Sequence, residues 1–280
     1  MLLPTPPQPA RYLARVACCL LLPVWVAGCN SNIDDIGVPD LEEPELSPVG
    51  VYTGRTTFQT TPDEVPTTAL LDSTGRIFLI ADDNRYLAAG LYETAGRGIT
   101  APIRFHLLSG VPPPLDPEEE PDTTRIADLV GTFAPLSDLT SIYLREDGEA
   151  GAVNLTWSSQ TRLGSRLERL DGDWAEPDAF GDNLTLFSFD ETGMFTGFDR
   201  NECLYTSGRA SLIDSEFNIY RVQFTRACPP EPGEQQQPPE TFVGLMTRLE
   251  RVVGGRDTLQ LLIAASNTDS ALIFRLIPAP

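Results

Sequence analysis

One five-residue turn occurs twice in this 280-residue chain. Leu71-Asp72-Ser73-Thr74-Gly75 is followed 118 residues later by Phe189-Asp190-Glu191-Thr192-Gly193. The same offset pairs Gly54 with Gly172, Gly90 with Gly208 and Thr140 with Thr258. It also lays the Pro- and Glu-rich loop 112–121 over the stretch 230–240. A single matching turn is cheap by chance. Turns, glycines and an unusual loop held in one register are not, and such self-similarity marks a duplicated structural unit. The chain therefore divides into a first copy, 49–160, and a second, 161–280.

Within each copy the texture is that of β structure. Short runs of Val, Ile, Thr, Phe and Tyr alternate with Gly, Asp and Asn turns, and no window keeps a helical period beyond two turns. Candidate strands of the first copy lie near 49–60, 66–72, 76–82, 85–94, 99–109, 125–134, 139–146 and 151–159. Those of the second lie near 165–174, 183–190, 194–199, 203–213, 217–228, 241–251, 257–266 and 270–277. Most connections are tight and carry residues that tolerate positive φ, so sequence neighbours should pair antiparallel. Eight such strands suit an up-and-down barrel, which leaves no exposed edge. The expected fold is all-β: a tandem duplication of an antiparallel up-and-down meander, closed as two small eight-stranded barrels. Two sandwiches, or one continuous larger sheet, are the alternatives.

The N-terminal residues have a different grammar. Arg11 and Arg15 precede an apolar run, 16–27, and no acid occurs before Asp34. The run is short for a transmembrane helix, and a basic start, an apolar centre and small residues describe an export signal. It closes on Val26-Ala27-Gly28-Cys29, which resembles the lipobox of bacterial lipoproteins: aliphatic, small, small, cysteine. The resemblance implies that residues 1–28 are a signal peptide and that cleavage leaves Cys29 first, with diacylglycerol on its thiol and a further acyl chain on its amine. Each buried methylene contributes roughly 0.8 kcal/mol, so several chains anchor firmly. Residue 30 is Asn, not the Asp that resembles an inner-membrane retention signal in enteric lipoproteins, which points to the outer membrane. Polar, acidic, Pro-bearing sequence follows, and 29–48 reads as a lipidated disordered tether.

Five cysteines then sort themselves. Cys18 and Cys19 fall within the signal and Cys29 takes the lipid. Cys203 and Cys228 remain, and in an oxidising compartment they read as one disulfide. If they lie on successive strands of one hairpin, they are equidistant from a centre between Ser215 and Glu216, inside the polar run Asp214-Ser215-Glu216. The first copy has Arg85 and Gly110 at the matching places and lacks the bond.

The charge narrows the partners. Net charge is −20, and removal of Arg11 and Arg15 makes the remainder more negative still. Nucleic-acid phosphates need basic patches, so nucleic acid is excluded as a partner. Anionic lipid would repel the surface and leave membrane attachment to the acyl chains. The chain has no lysine; all its basic residues are Arg, a feature of the organism's codon usage or of a saline habitat.

Catalytic signatures are sparse. His106 stands alone as the histidine, so a Ser-His-Asp triad would have to use it from the middle of a predicted strand, and no Gly-x-Ser-x-Gly elbow accompanies it. One histidine and a committed cysteine pair leave little for zinc. Acids recur in corresponding turns, Asp82 and Asp83 in the first copy and Asp199 and Glu202 in the second, and make weak calcium candidates; ordinary polar turns look the same. Nothing in the acid spacing selects a glycosidase pair. The loops 111–124 and 229–240 read as solvated spacers. No cofactor is called for. The function expected is non-enzymatic, binding or structural, toward an envelope protein or a small ligand. The alternatives are a lipocalin-like carrier of an apolar ligand, which the eight-strand layout resembles only in topology, and an enzyme acting on glycans or peptidoglycan. The openings Gly50-Val51-Tyr52 and Gly172-Asp173-Trp174 also resemble those of barrel domains in surface-exposed lipoproteins.

Overall fold

The computed structural model describes residues 46–60, 63–109, 123–177, 183–230, 233, 235–253 and 256–279. Cys29, residues 29–45 of the tether, and residues 111–122 of the first Pro/Glu loop lie outside the described residues. Among those described, the first copy forms β1 (Gly50–Phe58), β2 (Glu64–Leu71), β3 (Arg76–Ala81), β4 (Tyr86–Leu91), β5 (Glu93–Ala95), β6 (Gly98–Leu107), β7 (Thr124–Phe133), β8 (Asp138–Arg145) and β9 (Ala150–Trp157). Sequence neighbours pair antiparallel, β4 pairs directly with β6, and β9 pairs back onto β1. Eight strands therefore close a barrel, with β5 a short extension lying along β6. The second copy closes a barrel from β10 (Gly172–Pro177), β11 (Asn183–Phe189), β12 (Met194–Asp199), β13 (Leu204–Leu212), β14 (Tyr220–Ala227), β15 (Glu240–Val253), β16 (Arg256–Ser266) and β17 (Ala271–Pro278). The fold is the pair of eight-stranded antiparallel barrels expected from the sequence.

The repeat holds at atomic detail. Asp72 Oδ1 accepts from the Thr74 and Arg76 amides and the Thr74 hydroxyl, each at 2.9 Å. Asp190 Oδ1 accepts from Thr192 and Met194 in the same way, at 2.7–3.0 Å. Gly75 and Gly193 complete the two turns at φ 86° and 81°. Gly90 lies opposite Ile77, and Gly208 opposite Phe195. A Cβ there would stand 2.2 Å from the Pro102 carbonyl oxygen in one case and 2.5 Å from that of Phe195 in the other, so both copies need glycine.

Two matches at the 118-residue offset shift in the structure. Gly50, not Gly54, is the counterpart of Gly172, because each faces the residue just before the turn Asp, Leu71 or Phe189; the hairpin of the second copy is shorter. Thr140 and Thr258 are out of step because β15 and β16 are longer than their counterparts β7 and β8. The Gly-x-aromatic openings do correspond. Tyr52 Oη donates to the Pro48 carbonyl at 2.9 Å and Trp174 Nε1 to the Leu170 carbonyl at 2.7 Å. Each ring ties the incoming chain to the first strand of its barrel.

The candidate strand 165–174 is replaced by two 3-10 turns, Ser159–Leu163 and Leu167–Arg169, before β10 begins at Gly172. This linker is wedged between the barrels. Buried Thr161 accepts from the Val51 amide at 2.9 Å through its hydroxyl and from the Asn218 amide at 2.8 Å through its carbonyl. Those bonds supply the partners that a strand edge would otherwise need.

Both interiors are filled by side chains. In the first, Tyr52, Tyr86, Phe105 and Tyr143 pack with aliphatic residues, and the hydroxyls of Thr56, Thr67 and Tyr86 lie 2.8–2.9 Å from one another. In the second, Phe187, Tyr205, Phe224 and Phe274 form a cluster with centroids 5.0–6.2 Å apart, edge-to-face except for the tilted Phe187–Tyr205 pair, a favoured aromatic geometry. A third apolar cluster lies outside both barrels and joins them. Val51, Leu70, Phe78, Ile80 and Leu87 project from the outer face of β1–β4 onto Ile219, Leu245, Leu249, Leu262, Ala264 and Ala271. The barrels thus pack wall to wall.

Candidate functional site at the seam between the barrels

Strand alternation explains how one stretch serves two cores. Ile77 and Leu79 enter the first interior while Phe78 and Ile80 enter the seam. A strand buried on both faces is apolar throughout, as Ile77-Phe78-Leu79-Ile80-Ala81 is. Leu261-Leu262-Ile263-Ala264-Ala265 has the same character on the opposite side. Those continuous runs were the sequence signal for the seam.

Arginines of the second barrel ring this contact. Arg275 donates to the Ala81 carbonyl at 3.0 Å and to Asn84 Oδ1 at 3.3 Å. Arg251 reaches the Thr68 hydroxyl at 3.2 Å, and Arg221 the Thr74 hydroxyl at 2.9 Å. Asp82 stands 3.7 Å from both Arg251 and Arg275 and accepts from Thr68 at 3.0 Å. Asp83 pairs with Arg85 at 2.7 Å. In the second barrel, Asp199 caps its turn through the Asn201 and Cys203 amides and accepts from Tyr205 Oη at 2.8 Å. Glu202 sits on that turn at φ 60°, matching Asn84 at 59°. The weak calcium candidates are therefore split between two separate turns. Among the described residues no three His, Cys, Asp or Glu side chains converge as metal ligands.

The disulfide forms between Cys203 and Cys228, with Cα atoms 3.9 Å apart. Leu204 faces Ala227 and Tyr205 faces Arg226, the register expected from the hairpin centre. A bulge between Thr206 and Arg209 then shifts the pairing to Leu212 opposite Tyr220.

His106 is the unusual member of the seam. Phe105 enters the interior, so its neighbour His106 faces out, toward the β16–β17 turn of the second barrel. It is only 2% exposed, yet among the described residues neither ring nitrogen has a hydrogen-bond partner. Burial and the nearby Arg104 guanidinium hold the imidazole down at about 4, against the pull of Asp269. It is neutral at ordinary pH. Arg104 bridges the barrels by donating to the Thr268 carbonyl at 2.8 Å.

Beside these residues the walls diverge into a cleft of about 670 Å3. Its floor is the outer face of β3, β4, β6 and β7, where register sets Leu91 beside Arg76, and Ala89 between Phe78 and Arg104. Val243 and the segment 266–268 form the facing wall. Smaller clefts of about 250 and 260 Å3 lie beside Cys228 and over Leu186, Phe198 and Leu204. Among the described residues no helix is long and apolar enough to cross a membrane. No family model matches the chain, and no curated protein or solved structure matches it.

Proposed function

We propose that this chain is a lipid-anchored bacterial envelope protein whose double barrel has a non-enzymatic binding or structural role. The observation that carries the reading is Val26-Ala27-Gly28-Cys29 closing an apolar run with arginines before it and no acid. The disulfide suits an oxidising compartment, which supports it. The acids that composition offered for catalysis or calcium are engaged in turns and ion pairs at Asp82, Asp83 and Asp199, which favours binding over chemistry. Acyl chains on Cys29 place the body at the outer membrane, the tether lifts it from the lipid, and the partner is another envelope component or a small ligand. A lipocalin-like carrier would share the barrel shape, but a ligand inside either barrel would have to displace packed aromatic side chains; recognition on the outer surface fits better.

Cell fractionation of a Cys29→Ser variant tests the anchor. The variant should move from the membrane to the soluble fraction and lose labelled-palmitate incorporation. Unchanged membrane retention would sink the reading.

A further inference from the structure

The inter-barrel cleft combines three properties rarely found together by accident. Its size falls within the range of about 300–1,000 Å3 typical of small-molecule sites. Its floor is apolar and accessible, through Leu91, Pro102 and Ile126. It is lined by two guanidiniums, Arg76 and Arg104, neither in an ion pair among the described residues, in a chain where acids outnumber bases two to one. Among the described residues Arg76 makes no side-chain hydrogen bond, and Arg104 reaches only the Thr268 carbonyl. Beside Arg104, two residues along the same face of β6, lies His106 with both nitrogens unmet. Leaving a buried polar group unpaired destabilises the fold, and a bound partner would recover that loss.

The apolar floor does not stop at the cleft. Ile126 is diagonal to Leu144 across the β7–β8 pair, and Val130 faces Ile142 directly. All four are exposed on the outer wall, an apolar strip interrupted by the exposed carboxylate of Asp128, which faces Pro102 on one side and Leu144 on the other. We propose that this cleft is a binding site for a single-chain amphiphile with an anionic head, a carboxylate or phosphate. The head sits at Arg104 and His106, and the tail lies along Leu91, Pro102 and Ile126. The site does not depend on acylation of Cys29.

The sole histidine makes the test direct, because its imidazole signals report on one place. Decanoate, decyl phosphate, decanol and decyltrimethylammonium would be titrated below their micelle concentrations into the full chain carrying Cys29→Ser, followed by histidine-selective NMR. Decanoate and decyl phosphate should shift the His106 signals saturably. They should also raise its pKa, because an anion offsets the charge of Arg104, which otherwise opposes protonation while Asp269 favours it. Decanol should bind at least tenfold more weakly and the ammonium not at all. Leu91→Asp, on an exposed side chain, should abolish the response. Arg76→Gln with Arg104→Gln should erase the preference for decanoate over decanol. Equal responses to all four probes, no response to either anion, or a response untouched by Leu91→Asp would overturn the proposal. So would a response to phosphatidylglycerol vesicles alone, which would assign the site to a bilayer surface.

Discussion

The outer wall of β1–β3 and that of β10–β12 are the same piece of architecture in two settings. In the first barrel it is buried in the seam; in the second it faces solvent. Val51, Leu70 and Phe78 on the buried wall correspond to Asp173, Ser188 and Thr196 on the exposed one. Ile80 alone meets another large apolar residue, Phe198, and that ring is half exposed. The inward residues tell the opposite story: Tyr52, Leu71, Ile77 and Leu79 match Trp174, Phe189, Phe195 and Gly197, three of which stay large and buried. Inner positions keep their character because each barrel must fill itself. Outer positions have diverged according to whether a neighbour covers them. The turn aspartates are retained on both because the backbone needs them; only Asp72, 1% exposed, also lies within 3.9 Å of an arginine across the seam, Arg221.

Exchanging residues between the walls should break this contrast most severely. Phe78→Thr gives the buried wall its exposed counterpart and should cost about 3–5 kcal/mol in urea unfolding, by cavity formation and lost burial. The reciprocal Thr196→Phe should change stability by about 0.5 kcal/mol or less; equal losses from both would mean that the seam contributes nothing. Next comes the staple present only in the second copy. Cys203→Ser with Cys228→Ser should cost roughly 3 kcal/mol by loop-closure entropy. If the seam couples the barrels, unfolding should remain one transition followed equally by Trp157 and Trp174 fluorescence.

A smaller effect separates the two turns. Asp72→Ala removes a carboxylate that accepts from three donors and faces Arg221, and should cost about 2 kcal/mol. Asp190→Ala, fully exposed, should cost clearly less in the same urea titration. The pH response of the seam is a separate effect, spread over the range between the unfolded and folded values of its histidine. His106 has its folded value lowered from 6.5 to about 4, so the folded state binds fewer protons than the unfolded one between those limits. Stability should therefore fall as pH drops through 6.5 and level off below about 4. The wild-type slope, less that of His106→Gln, isolates this contribution from the carboxylates; identical slopes would refute it.

Much of this architecture is legible in the sequence because it depends on local rules. The recurring turn, the alternating strands of β8 and the cysteine pair each imply neighbours a short distance along the chain. The seam is harder to see. Ile77-Phe78-Leu79-Ile80-Ala81 announces burial on both faces but does not say what covers the second face. The 3-10 linker reads as a strand in sequence because Ser165-Arg166-Leu167-Glu168-Arg169-Leu170 has the mixed polarity of an edge strand. Its helical turns are held by tertiary bonds at Thr161 and Ser165. His106 was visible, but its importance comes from lacking partners in a buried place, which only packing reveals.

The wall-to-wall contact also has a consequence in time. A chain that emerges from its N-terminus can close the first barrel once β9 is available. The cover for Phe78 and Ile80 comes from later in the chain, beginning with Ile219, continuing with Leu245 and Leu249 on β15, and completed by Leu262, Ala264 and Ala271 on the last two strands. For about a hundred residues of synthesis or export the first barrel is complete yet adhesive. A chain cut short before β15 would carry that bare wall permanently, which makes the C-terminal strands the built-in escort of a barrel they do not belong to.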